Sequence, residues 1–180
     1  MLSIIKKLSG AVLLLLGLSI TAKAEVAVGD PAPDFRLQDQ KGDWHTLEQY
    51  RGSWVAVYFY PKDDTPGCTT EACAFRDNIF AFEELGATIL GVSLDDVESH
   101  AEFAEKYSLP FSLLADTAGE TAKAYGVLGS FAGFRIAKRQ SFLIGPDGRI
   151  AKHYEKVNPD KHSEEVLADL QALMELSAET

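Results

Sequence analysis

The sequence predicts an α/β domain with a mixed central sheet, helices on both faces and an N-terminal hairpin. Three observations predict it. Two uncharged runs, 54–60 and 87–94, have the composition of strands buried on both sides. The segments after them carry apolar residues at helical spacing, so strands and helices alternate through the middle of the chain. Short alternating segments around polar turns lie near both ends.

The first 24 residues read as a secretory signal peptide and not as part of the fold. Lys6-Lys7 gives a charged start, 10–20 is almost wholly apolar, and Ala22-Lys23-Ala24 has the small-x-small form of a cleavage site. That apolar run is shorter than the about 20 residues a spanning helix needs. Residues 25–180 then form one domain. Its first stretch, 26–33, is stiff and extended. Phe35 and Leu37 alternate with polar neighbours, and Lys41-Gly42-Asp43 turns the chain into 44–47, a hairpin. The strand at 54–60 follows. From Cys68, the apolar positions Ala72, Phe75, Ile79, Phe82 and Leu85 predict one helix that Gly86 ends. After the strand at 87–94 come a helix over 97–107, a strand over 111–115 and a helix over 117–125. The turn Pro146-Asp147-Gly148 joins strands at 141–144 and 150–154, and an amphipathic helix over 160–176 closes the domain.

The two long buried strands are expected to be parallel neighbours joined by a right-handed crossover. Sites in such sheets lie beyond the carboxyl ends of the strands, where Cys68 falls. Charge excludes one class of function. The leader removes Lys6, Lys7 and Lys23, so 17 basic residues become 14 against 27 acids, a formal charge of −13. No basic stripe offsets it, so a nucleic-acid partner is not expected.

Cys68 and Cys73 are the only cysteines. In an exported protein an isolated pair is by default a structural disulfide. Here Pro66 and Gly67 start a helix with Cys68 in its first turn, where unpaired amides and about half a positive charge favour an anion. Only the thiolate is nucleophilic. Thr65 can bring a hydroxyl to the sulfur. A guanidinium would favour the thiolate further and bind an oxygen-containing substrate. The candidates are Arg76, Arg135 and Arg139, and spacing alone does not choose among them.

The segment Tyr58-Phe59-Tyr60-Pro61-Lys62-Asp63-Asp64-Thr65-Pro66-Gly67-Cys68-Thr69-Thr70-Glu71-Ala72-Cys73 resembles the active-site segment of peroxiredoxins, and within them the Q-type, or bacterioferritin comigratory protein, subfamily. Pro61, Thr65 and Cys68 match its Pro-x-x-x-Thr-x-x-Cys motif. Arg139-Gln140-Ser141-Phe142-Leu143-Ile144 is similar to the segment carrying the catalytic arginine, which singles out Arg139. The likeness runs from about Gly29 to the last helix. It implies a thioredoxin-like fold and a monomeric thiol peroxidase that needs no metal, haem or flavin. Cys68 would attack the peroxide, with Thr65 and Arg139 holding it, Pro61 shielding the sulfur and Glu71 orienting the arginine. The implied partners are hydrogen peroxide or organic hydroperoxides and a thioredoxin-like protein reductant. The leader implies export to a bacterial periplasm.

Attack would leave Cys68 as a sulfenic acid, which a second thiol condenses to a disulfide. Cys73 is the one intrachain partner. On an intact helix five residues place the Cα atoms roughly 8–9 Å apart, beyond the about 7 Å a disulfide tolerates. The first turns of the helix are therefore expected to unwind in each cycle. Two rival readings remain. A thioredoxin-type disulfide oxidoreductase would carry Cys-x-x-Cys, and a copper-handling relative would need Cys-x-x-x-Cys with a distant histidine. His45, His100, His153 and His162 have no metal-like spacing and are expected at the surface. A non-catalytic domain stapled by a disulfide is the third option. One equivalent of hydrogen peroxide separates them: fast loss of both thiols is expected of the peroxidase, whereas the slow rate of an ordinary thiol supports a rival.

Overall fold

A computed structural model describes residues 26–178. The signal-peptide reading of 1–24 lies outside the described residues. Among those described, no helix is long and apolar enough to cross a membrane.

The extended start of the domain pairs at Pro31 with Arg149, and the Gly29 amide donates to the Ile150 carbonyl at 2.8 Å. The expected hairpin is present as β1 (Arg36–Gln38) and β2 (Trp44–Thr46). The Asp39 carboxylate shapes its turn by accepting from the Lys41 and Asp43 amides at 2.9 and 3.0 Å. The core sheet has the strands β3 (Trp54–Phe59), β4 (Ala87–Ser93), β5 (Ser112–Ala115), β8 (Gln140–Ile144) and β9 (Ile150–Tyr154), in the order β5-β4-β3-β8-β9. β3, β4 and β5 are parallel, and β8 is antiparallel to both β3 and β9.

Alternation along β3 sorts the core into two layers. Ala56, Tyr58 and Tyr60 face α1 (Pro66–Asp77), α3 (Val97–Tyr107) and α5 (His162–Ala178) through Ala72, Phe75, Phe103, Val166 and Leu170. Val55, Val57 and Phe59 face the other way, against Phe35, Leu47, Ala122 and Tyr125. This second layer holds the N-terminal hairpin and α4 (Glu120–Ala124).

Four features differ from the sequence reading. The helix expected from Cys68 to Leu85 breaks at Asn78 into α1 and α2 (Ile79–Glu84). The Asn78 amide side chain donates to the Ala74 and Ser163 oxygens at 3.1 and 2.8 Å, ending α1 and clipping it to α5. The helix over 117–125 is shorter, because the buried Asp116 carboxylate collects the Thr121 and Ala122 amides and starts α4 late. A hairpin unseen in the sequence, β6 (Leu128–Phe131) with β7 (Phe134–Ala137), turns on Ala132 and Gly133, both at positive φ (49° and 85°). Such a turn normally advertises itself with Asn-Gly or Gly-Gly, and an alanine hides it. Finally, His100 and His162 are fully buried and not at the surface, each held by polar partners described below.

Gly91 sits in the middle of β4 opposite Tyr58, and a Cβ there would lie 2.7 Å from the Tyr58 hydroxyl and 2.8 Å from a Leu113 methyl. Gly91→Ala should therefore destabilise the domain by about 1–3 kcal/mol through overpacking, read as a lower midpoint in urea.

Candidate active site

The site lies where the strands' carboxyl ends would place it. Chain 60–65 leaves β3, and the Tyr60 amide donates to the Val92 carbonyl at 3.1 Å. Buried Asp63 pins this loop: its carboxylate accepts from the Tyr60 hydroxyl at 2.7 Å and the Ser99 hydroxyl at 2.8 Å, and pairs with His100 Nδ1 at 2.8 Å. Its backbone amide donates to Asp95 at 2.9 Å. Asp64, in the left-handed region at φ 55°, bonds Lys106 and Tyr107, both at 2.6 Å. The loop is thus bolted to α3 on one side and to the end of β4 on the other.

Thr65 is the residue before α1 and extended, and Pro66 supplies the first helical position, where a missing N–H costs nothing. The Thr65 hydroxyl donates to the Lys62 carbonyl at 3.0 Å; the contact to sulfur that the sequence suggested is not made. Pro61 is half-buried at the start of this loop. Cys68 follows in the first turn of α1 and is 1% exposed.

Arg139 stands immediately before β8, whose first residue, Gln140, pairs with Phe59 at the end of β3. That register carries the guanidinium past the carboxyl end of β3 and onto the thiol: Nη2 lies 3.1 Å from Cys68 Sγ, and Nη1 bonds Glu71 Oε2. Gly67 permits the approach, since a Cβ there would sit 3.2 Å from Arg139 Nη2. Glu71 is one helical turn after Cys68 and shares its buried face. The other two arginine candidates are engaged elsewhere, Arg76 with Asp77 and the Tyr107 carbonyl, Arg135 with the Ala118 carbonyl.

Burial pushes the Glu71 carboxyl up to about 7, an effect that Arg139 opposes without cancelling. Arg139 itself is raised: burial works against its charge, but Glu71 and Cys68 outweigh that. His162, the first residue of α5, approaches Glu71 Oε1 at 3.9 Å and bonds Ser141 Oγ at 2.8 Å. Burial first, then the Arg139 charge, lowers it to about 4. Neither His162 nor Ser141 was marked by the sequence, although Ser141 stands two residues beyond Arg139 in the motif.

Cys73 is half-buried, and both thiols are free within the unbroken α1. The helical spacing that forbids a bridge on an intact helix therefore applies to this pair.

The AhpC/TSA family profile matches residues 28–153, and the chain belongs to that family. Within it the relatives are peroxiredoxins of the Q or Bcp type, and this chain is one of them: a thiol peroxidase on a thioredoxin-like fold. Peroxiredoxin Bcp of Bacillus subtilis is 42% identical over 154 residues, spanning 83% of this chain and 98% of that protein. A cysteine-to-serine variant of PrxQ from Xylella fastidiosa superposes with a TM-score of 0.80 at 35% identity, covering 84% of this chain and 99% of the other. The bacterioferritin comigratory protein of Xanthomonas campestris, described for its alkyl peroxide reduction activity, gives 0.74 at 35% identity, with 82% and 96% covered.

The two buried groups have opposite pH signatures. Glu71, raised from 4.5 to about 7, contributes stability present below about 4.5 and lost as pH rises through about 7. His162, lowered from 6.5 to about 4, contributes stability present above 6.5 and lost as pH falls through about 4. Between these limits the two slopes oppose each other. Glu71→Gln should unmask the histidine, with urea stability falling on acidification from pH 6.5 to 4, whereas His162→Gln should lose stability as pH rises through about 7.

Proposed function

We propose that this protein reduces hydrogen peroxide and organic hydroperoxides through a peroxidatic Cys68 and a resolving Cys73. The observation that carries the reading is the Arg139 guanidinium, 3.1 Å from a cysteine sulfur at a helix N-terminus and anchored by Glu71. Two positive groups, the guanidinium and the first turn of α1, face the sulfur, and only a cysteine's thiolate form is nucleophilic.

The chemistry follows from the polar groups around the sulfur. The Thr65 hydroxyl, donating to Lys62, turns its lone pairs outward and accepts the O–H of a hydroperoxide. Arg139 donates to the peroxide oxygens. The Cys68 thiolate attacks the terminal oxygen, a sulfur–oxygen bond forms as the O–O bond breaks, and the leaving alkoxide or hydroxide gathers negative charge that Arg139 stabilises. A proton converts it to alcohol or water. Pro61 shields the sulfur from solvent, and Glu71 keeps the guanidinium aimed.

In the second step the first turns of α1 unwind, and the Cys73 thiol attacks the Cys68 sulfenic acid, releasing water and forming an intrachain disulfide. A thioredoxin-like dithiol protein then reduces it. The leader supports export to a bacterial periplasm and cleavage after Ala24, so the reductant must be one kept reduced outside the cytoplasm, and the resemblance to the Q-type subfamily supports action as a monomer.

Cys73→Ser should consume about one equivalent of peroxide and then stall with a dithiol protein reductant; sustained turnover would disprove the resolving role. A mixed disulfide trapped by that variant identifies the reductant. Arg139→Met should slow Cys68 oxidation by about 10²-fold or more, measured by stopped-flow against peroxide.

A further inference from the structure

The Arg139–Glu71 pair has a third member for which the peroxidase reading has no task. We propose that His162 is a positioning residue for peroxide reduction, acting through Glu71 to hold the Arg139 guanidinium on Cys68. The inference rests on the reading of Cys68 as the peroxidatic cysteine.

The ring is placed by construction. It is fully buried, with Phe75 edge-on at 5.5 Å and 87° and Tyr154 edge-on at 5.2 Å and 79° between ring centroids and planes. This cage leaves one direction for Nε2, toward Ser141 Oγ at 2.8 Å and Glu71 Oε1 at 3.9 Å. Three elements meet at that nitrogen: α5 through the histidine, α1 through Glu71, and β8 through Ser141. β8 is also the strand that Arg139 precedes.

Its protonation follows from the surroundings. Nδ1 has no hydrogen-bond partner among the described residues, and burying an unpaired N–H would be costly. The neutral ring therefore carries its proton on Nε2, facing the two oxygens. Burial and Arg139 both hold the imidazole neutral. Neutrality matters here. A second cation would compete with Arg139 for the carboxylate, whereas a neutral N–H dipole meets only its far edge.

Glu71 needs such a contact. Oε2 is bonded by Arg139, while Oε1 is buried without a hydrogen bond among the described residues. The imidazole dipole is a polar group within 3.9 Å of that oxygen. With it in place, rotation of the carboxylate about its own bond is opposed, and the guanidinium keeps its Nη2 on the sulfur. Without it, the carboxylate can turn and draw the guanidinium aside. The anchor at the other end is firm, because Ser163, the next residue, accepts from the Asn78 side chain that closes α1.

The test uses the full domain in a Cys73→Ser background, so that Cys68 alone is read. His162→Leu should slow oxidation of Cys68 by hydrogen peroxide about tenfold. It should also move the pH at which iodoacetamide alkylates Cys68 up by about one unit. His162→Gln, which keeps a neutral N–H, should recover most of both. The Glu71→Gln/His162→Leu double variant should be no slower than the slower single one, as expected of groups acting in series. A folded His162→Leu that reacts and titrates like its parent overturns the proposal, as do effects of the two substitutions that simply add. If His162→Leu does not fold, Ser141→Ala carries the same expectation by freeing the ring, and an unchanged rate and profile again overturn it. A wild-type Cys68 inert to peroxide would sink the peroxidase reading instead, while the alkylation profiles would still decide for or against His162.

Discussion

One guanidinium, divided between a sulfur and a carboxylate, is the constraint around which this molecule is arranged. Arg139 gives Nη2 to Cys68 and Nη1 to Glu71, and both acceptors lie on the same face of α1. A half-buried cation is costly unless paired and hydrogen-bonded, and here both of its partners come from one helix. The helix supplies thiol and carboxylate one turn apart, so a single planar fork can engage both. The absence of a side chain at Gly67 lets the fork come close.

The rest of the fold delivers those three groups to one place. Parallel pairing of β3 with β4 puts α1 across the sheet, and antiparallel pairing of β8 with β3 brings Arg139 back past the end of β3. The intervening loop is fixed by Asp63, His100 and Asp95, a polar cluster that contacts no reacting atom. Its buried carboxylate has three side-chain partners, which is what makes such burial tolerable.

What could be read in the residues divides along physical lines. Long strands and the Cys68 helix were legible because their patterns are local: uncharged runs for 54–60 and 87–94, helical spacing after Cys68. The thiol's position at a helix start followed from Pro66 and Gly67. The arginine did not follow from pattern, since Arg76, Arg135 and Arg139 are equivalent until the register of β8 against β3 is known; only the likeness to a family chose. His100 and His162 were misplaced for a related reason. Their partners, Asp63 and Glu71, are 37 and 91 residues away in sequence, and no local signal reports a buried ring satisfied at that range. The hairpin turning on Ala132-Gly133 lacked the residues that usually mark one, and the break at Asn78 depends on a serine from α5.

That break has a consequence for how far disturbance travels. Helix propagation is cooperative, so unravelling begun at one end of a continuous helix tends to run along it. Asn78 interrupts the hydrogen-bond ladder twelve residues after Pro66 and is tethered to Ser163 on a separate helix. The cysteine-bearing segment is thereby a short module with a firebreak at its far end. Phe82, in the piece beyond, is seated in the core, so the unwinding proposed for the start of α1 would have a boundary three turns on, short of the packing beneath β4.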